Sequence, residues 1–306
     1  MSTIKNAINF NAQTTPAAHL ADAADAAMAV EHAVSLLLHD LDMHRVAIGP
    51  LMPVKSALIT LNALPVVGRD HLLAAIIREP SAAALILQAA NSRYLDPITG
   101  GTVKLEAAVD LVGERGVREV LQYLDSQGPS RWTWDGASQH LRRMWTHTIY
   151  TALAARKLAK RHGGLNPSLA FSAAMLQNIV EPVVVQYIAR QLQDTTLHPA
   201  GNINIAGVVA SCKDLIGARL LESWNIPQPI VEVARHNQAT PENVLTTIVV
   251  AAQQAALRYG YVYLGVNPDE TVLTRAVDLL GMQVSTLDSV SREIAGELNT
   301  ILTHQA

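Results

Sequence analysis

The chain has little of several things that would otherwise decide its class. One cysteine, Cys212, among 306 residues excludes an internal disulfide and any multi-cysteine zinc knuckle. Its neighbours Val208-Val209-Ala210-Ser211 mark it as a small buried hydrophobe, and a single thiol suits a reducing cytoplasm. Aromatic residues make up only 4%. With Ala and Leu abundant instead, helices are expected rather than a sheet rich in Val, Thr and Tyr, so the fold class is all-α. Neither sign of charge dominates: 23 Lys and Arg against 26 Asp and Glu create no basic field to draw a phosphate backbone, and no nucleic-acid partner is expected. The start, Met1-Ser2-Thr3-Ile4-Lys5, lacks the basic and apolar regions of a signal peptide, and the longest apolar runs read as far shorter than a membrane span. A soluble cytoplasmic protein with no membrane partner is the expectation.

What the chain does have is core material, 49% hydrophobic, arranged with helical spacing. The first twenty or so residues, with Asn9, Asn11, Gln13, Thr14, Thr15 and Pro16, read as a loose polar arm. From about Asp22 to Val46, the residues Met28, Val34, Leu37, Leu38, Leu41 and Val46 fall on one broad helical face, stopped by Gly49-Pro50. This segment holds the one literal His-Asp pair, His39-Asp40, with His44 one turn on. A metal centre draws ligands from several helices, and only the arm, His19 and His32 precede this pair. It reads as a solvated helix end, with His44 and Arg45 near the negative end of the dipole.

From Leu51 to about residue 125, short helices alternate with clear punctuation. Pro53 is expected in the first turn of a helix bearing Ala57, Leu58 and Leu61. Pro65 and Gly68 break the pattern, and Leu72, Leu73, Ile76 and Ile77 resume it. Glu79-Pro80 opens a Leu-rich helix that ends in Asn91-Ser92. Further on, Leu105, Ala108, Val109 and Val112 share a face ahead of a turn at Gly113 and Gly116 and a helix from Val117 to Leu124. A loop from Gln127 to Gly136 carries Arg131, Trp132 and Trp134. Aromatics beside an arginine are the composition of a protein-binding hot spot, although a loop tucked against its own domain is the commoner use of such residues. Helices follow from His140 to His162, closed by Gly163-Gly164, and from about Pro167 to Leu176. The C-terminal part starts a helix at Asn267-Pro268-Asp269-Glu270, stops one at Leu279-Leu280-Gly281, and ends on an amphipathic helix using Val290, Ile294, Leu298 and Ile301.

Four stretches together resemble the HDOD family, an HD-related output module of bacterial signalling proteins. They are Glu79-Pro80 through Asn91-Ser92, the Gly113 segment, Trp145-Thr146-His147, and Gly217-Ala218 through Trp224-Asn225-Ile226-Pro227. The resemblance covers residues 51–255 and implies a multi-helix bundle of two packed halves, 51–125 and a degenerate HD-like half, 140–255. Residues 1–50 then form an N-terminal arm and extra helix, and 256–306 a C-terminal helical cap.

The resemblance also locates a site. It puts His147 at the first HD position, Gln177-Asn178 where the superfamily has His-Asp, Lys213 where a metal-binding His usually sits, His236 at the His-His step, and Gln253 in place of a metal-binding Asp. A hydrolytic ion needs neutral imidazoles and anionic carboxylates. Amides are weak neutral ligands, and a lysine brings a cation toward the ion. Hence neither catalytic residues nor a metal or other cofactor are expected, and the chain reads as no enzyme. His147 and His236 are expected to hydrogen-bond the Gln and Asn side chains. The implied function is a protein-interaction platform whose partner is a protein of a bacterial signalling pathway. Two alternatives stay open: a sensor whose residual pocket accepts a nucleotide or other anion, and a weak HD-related phosphohydrolase.

Overall fold

The computed structural model describes residues 17–43, 45–94, 104–127, 137–193, 205–235, 243–263 and 265–303. Within them lie thirteen helices and no strand, as the shortage of aromatics and the helical spacing predict. They are α1 (Ala17–Asp42), α2 (Lys55–Ala63), α3 (Arg69–Ile76), α4 (Pro80–Tyr94), α5 (Leu105–Gln127), α6 (Ala137–His162), α7 (Pro167–Gln177), α8 (Val180–Gln193), α9 (Ile205–Ser223), α10 (Gln228–Arg235), α11 (Val244–Arg258), α12 (Glu270–Leu279) and α13 (Val284–Thr303).

Helix starts follow from capping chemistry. Asn166 accepts the N–H groups of Ser168 and Leu169 at the head of α7, ahead of Pro167 in its first turn. Asn243 accepts Thr246 N–H at 2.8 Å to open α11, and Asp269 takes the N–H groups of Thr271 and Val272 to open α12. Each satisfies donors that a helix terminus otherwise leaves unpaired. The turn expected at Gly113 is a sharp kink inside α5, with Gly113 at φ 71°, a left-handed conformation that glycine tolerates. Gly116 is needed for space: a Cβ there would sit 2.4 Å from Val112 Cγ1.

The first half packs α2, α3 and α4 around α5, and the second is built on α6, which touches α7, α8, α11 and α13. Helix α4 packs on both α6 and α7, and α5 on α7, so the halves share one hydrophobic core. A buried indole crosses the seam, Trp145 Nε1 donating to the Arg78 carbonyl at 2.6 Å. Beyond that half, α12 packs on α11 and α13 on α6, with Val290, Ile294, Leu298 and Ile301 all buried as their spacing predicts.

An extended strap, residues 45–54, runs between α1 and α2 and is fixed to both halves. Glu79, 1% exposed, accepts the N–H groups of Leu51 and Ser81 on one oxygen and of Met52 on the other, at 3.0–3.2 Å. Ser81 Oγ donates to the Gly49 carbonyl at 2.8 Å, and Trp224 Nε1 donates to the Val46 carbonyl at 3.4 Å. The acid-Pro step thus organises the strap as well as starting α4.

Several expectations need correction. Helix α1 starts at Ala17 and ends at Asp42 rather than spanning Asp22 to Val46; Val46 is buried from the strap, and Met28 is 69% exposed. Pro53 precedes α2, whose N-cap is Val54. The apolar run Pro167–Tyr187 does reach 21 residues, long and apolar enough by composition to cross a membrane. It is broken between α7 and α8, and 89% of its apolar window is buried inside the fold, the signature of core helices. At the His39-Asp40 pair, Asp40 accepts the Tyr187 hydroxyl at 2.6 Å and Arg45 at 2.8 Å while His39 faces solvent. His44 lies outside the described residues, as do residues 1–16 of the expected polar arm.

Candidate functional site: an amide pair at the α6–α7–α11 junction

His147 occupies the buried face of α6, 1% exposed. Its Nδ1 lies 2.9 Å from the Tyr261 carbonyl, and a carbonyl can only accept, so Nδ1 carries the proton. The imidazole stacks at a tilt on Tyr263, ring centres 4.4 Å apart. The Tyr263 hydroxyl donates to Glu181 Oε1 at 3.1 Å. Burial, together with the Glu181 carboxylate, raises the Tyr263 pKa well above that of an ordinary phenol, so it stays a donor.

Gln177 is the last residue of α7 and Asn178 its C-cap, with φ −92° and ψ −1°. From α11, Gln253 Nε2 donates to Asn178 Oδ1 at 3.0 Å across the α7–α11 contact. Both polar atoms of the buried Gln177 side chain and Asn178 Nδ2 have no hydrogen-bond partner among the described residues. The expected bond from His147 to these amides is replaced by the one to Tyr261. The stretch from Tyr261 to Tyr263 after α11 supplies a backbone acceptor within reach, and the amides on α7 and α11 pair with each other instead.

Of the remaining expected positions, Lys213 lies in α9 but its side chain is not described, and His236, Arg131, Trp132 and Trp134 lie outside the described residues. The structure thus brings together Asn178 and Gln253, and places His147 with Tyr263 and Glu181. Glu181, Tyr261 and Tyr263 were not anticipated. The available signal for Glu181 was an acid in the apolar run Ile179-Val180-Glu181-Pro182-Val183-Val184-Val185, a second acid-Pro step where a charge is costly unless it has a partner.

The donors described at this site, the amides of Gln177, Asn178 and Gln253 and the imidazole of His147, do not fit a divalent ion. Among the described residues no three His, Cys, Asp or Glu side chains gather in a group able to hold one. The two positions that pair across α7 and α11 carry neutral amides already bonded to each other. Such a pair offers hydrogen-bond donors and acceptors and no charge compensation for a metal.

A helical bundle of two packed halves, with no strand among the described residues, defines an all-α module. A family model described as the HDOD domain matches residues 48–240. The chain belongs to the HDOD domain family, a family of signal-transduction proteins. Its fold is similar to the crystal structure of the MmoQ response regulator from Methylococcus capsulatus str. Bath, with TM-score 0.57 at 16% identity, covering 80% of this chain and 97% of that one. A fragment of the same protein gives TM-score 0.55 at 17% identity, covering 79% and 95%. An HDOD domain protein of unknown function from Geobacter sulfurreducens aligns at TM-score 0.38 and 18% identity, covering 89% and 99%. No curated protein matches the chain significantly in sequence.

Proposed function

We propose that this chain is a non-catalytic signalling protein, a rigid helical platform in the bacterial cytoplasm that binds another protein of a two-component or second-messenger pathway. The observation that carries the reading is the Gln253–Asn178 amide pair. Hydrolysis at an HD-type site needs carboxylates there to neutralise an ion and its bound water. Two amides satisfying each other supply structure instead. The pathway assignment draws on family membership and on the neighbour's description as a response regulator.

The test is capture of kinases and receiver proteins from the native host by the purified chain, with elemental analysis of the same preparation. Replacing Trp132 and Trp134 by Ala should weaken capture while the helical signal in circular dichroism is kept; truncating a hot spot costs about 2 kcal/mol or more. About one equivalent of iron, manganese or zinc, lost on mutating His147 or His236, would move the assignment to a phosphohydrolase.

One observation supports a sensor as the second reading. Gln177 is buried with neither polar atom of its side chain bonded among the described residues, and such atoms are costly unless something pairs with them. A thermal-shift panel of nucleotides separates the two: a response abolished by Gln177→Ala and Asn178→Ala supports the sensor, and none supports the scaffold.

A further inference from the structure

Helices α4 and α5 pack together, and beside the bend in α5 they leave an open cleft of about 640 Å³. Sites for small molecules have this size, about 300–1,000 Å³. No residue of the amide pair on α7 and α11 lines it. From α5 it is bounded by Val112 and Gly116, on either side of the left-handed Gly113, and from the turn after α9 by Asn225 at φ 55°. Leu85, Val112 and Val120 form its partly buried apolar lining. Ala89 and Gly116 carry almost no side chain there, which leaves room between the helices.

The turn that holds Asn225 does not call for an asparagine. The N–H groups of Asn225 and Ile226 bond back to the Glu222 and Leu221 carbonyls, closing α9 with a helix end whose left-handed residue is usually glycine. What asparagine adds is a side-chain amide, and it lines the cleft. Gln88 of α4 lines it with a second amide. Neither of these side chains hydrogen-bonds to any of the described residues. Tyr123, 38% exposed, adds an aromatic face. Arg115 is the one cation among the described lining residues, and its Nε lies 2.8 Å from Glu119 Oε1, a carboxylate that lines the same cleft.

A polyphosphate would find no uncompensated cation in this cleft. A flat ligand with a donor beside an acceptor would find partners, because each amide offers a carbonyl oxygen and an NH2 group side by side. That pattern reads the N6 amino group and N7 of adenine, whereas the O6 and N7 of guanine both accept and call for arginine. The tyrosine ring supplies a face on which a base can stack. We propose that the α4–α5 cleft is a binding site for an adenine base, as carried by adenosine or its monophosphate, with Gln88 and Asn225 reading the base edge and Tyr123 stacking on its face. The site is distinct from the Gln253–Asn178 pair and neither requires nor excludes a protein partner.

The experiment titrates adenosine, guanosine and adenosine monophosphate against the full chain by calorimetry and NMR. Adenosine should bind saturably, with amide shifts gathered on residues 85–92 and 112–123, and about tenfold or more tightly than guanosine. The monophosphate should bind comparably to adenosine, since the Arg115–Glu119 pair carries no net charge. Asn225→Gly is the decisive variant, because glycine suits the left-handed backbone at least as well: it should keep the melting temperature and weaken adenosine about tenfold. Gln88→Leu should weaken it similarly, and Ala89→Leu, which fills the cleft and leaves both amides in place, should abolish binding. No saturable binding of adenosine by the unaltered chain, or binding untouched by Asn225→Gly, overturns the proposal. Equal affinity for guanosine, or a large gain from the phosphate, overturns the assignment to adenine. Binding lost on Gln177→Ala and Asn178→Ala instead would belong to the amide pair, and would support the sensor reading against the cleft.

Discussion

One buried side chain, Gln186, reads both backbone groups of one residue, Gly49: Oε1 accepts the Gly49 N–H at 2.8 Å while Nε2 donates to the Gly49 carbonyl at 3.1 Å. The same Nε2 reaches the Pro50 carbonyl at 3.1 Å. A planar amide supplies this donor and acceptor together; a carboxylate or a hydrocarbon cannot. Gln186→Leu should therefore strand buried strap groups and cost about 2–4 kcal/mol, since each orphaned buried group carries a penalty of about 1–3 kcal/mol. Urea unfolding of the variant against the unaltered chain measures it. Gln186→Glu should also destabilise, by setting a carboxylate against two carbonyls.

Glu79 gives the fold a pH dependence of known sign. Burial raises its pKa from 4.5 to about 7, against the lowering effect of the backbone N–H groups it accepts. The folded value lies above the unfolded one, so the folded state prefers the protonated acid. The stabilisation from this group is complete below 4.5 and lost as pH rises through about 7, and a shift of this size is worth on the order of 3 kcal/mol. Glu79→Gln removes the titration and sets an amide N–H against a strap donor. The melting-temperature difference between unaltered chain and variant should widen as pH falls from 8 to 5. A gap independent of pH would show that Glu79 is ionised throughout.

Much of the architecture was legible because it rests on local chemistry. The start at Asp269, the stop at Gly281 and the stripe Val290, Ile294, Leu298, Ile301 are decided within a few residues of chain. Helix α8 was harder. Its valines Val180, Val183, Val184 and Val185 are all buried, and the break at Asn178–Ile179 lies inside the apolar stretch Pro167–Tyr187, marked only by the amides Gln177 and Asn178. At the site, the amides of Gln177, Asn178 and Gln253 were singled out by resemblance. The Tyr261 carbonyl and the Tyr263–Glu181 bond were not, because contacts more than 80 residues apart are set by how α6, α8 and the end of α11 pack. For the same reason the task of Gln186, 137 residues from Gly49, left no trace in the sequence.

The kink in α5 should be sensitive at two glycines, Gly113 and Gly116, for different reasons. Gly113→Ala places a side chain at φ 71°, where L residues are strained, though nothing lies within 4 Å of the new Cβ. Gly116→Ala adds a Cβ that meets Val112 Cγ1 at 2.4 Å. We expect about 1–2 kcal/mol for the first and about 1–3 kcal/mol for the second, as overpacking costs. Shortening the neighbour tests the steric account: Val112→Ala should recover much of the Gly116→Ala loss and none of the Gly113→Ala loss in a double-mutant cycle.

The C-terminal helix should be held by its apolar stripe rather than its ion pairs. Arg156 grips both oxygens of Glu297 at 2.7 and 2.8 Å, but the two side chains are about a third exposed. Solvent screening limits such a pair to about 0–1 kcal/mol. Ile294 is fully buried, and its truncation to Ala should cost about 2–5 kcal/mol. Chemical denaturation of Arg156→Ala and Ile294→Ala should rank them in that order, and raising salt should shrink the smaller effect further.

Placing a carboxylate at the site tests what the amides are for. In Asn178→Asp, Gln253 Nε2 can still donate to residue 178, so geometry is kept while a charge enters a position only 2% exposed. One neutral donor does not offset the desolvation of a buried carboxylate. The variant should lose about 2–4 kcal/mol at pH 7 and recover on acidification, because burial raises an acid's pKa and the proton removes the charge. If the amide pair is structural, adding manganese or ferrous iron should leave the variant's melting temperature where it was. A metal-dependent rise that vanishes with His147→Ala would show that the neighbouring groups still compose a binding site, and the chain would then be one substitution away from an HD-type metal centre.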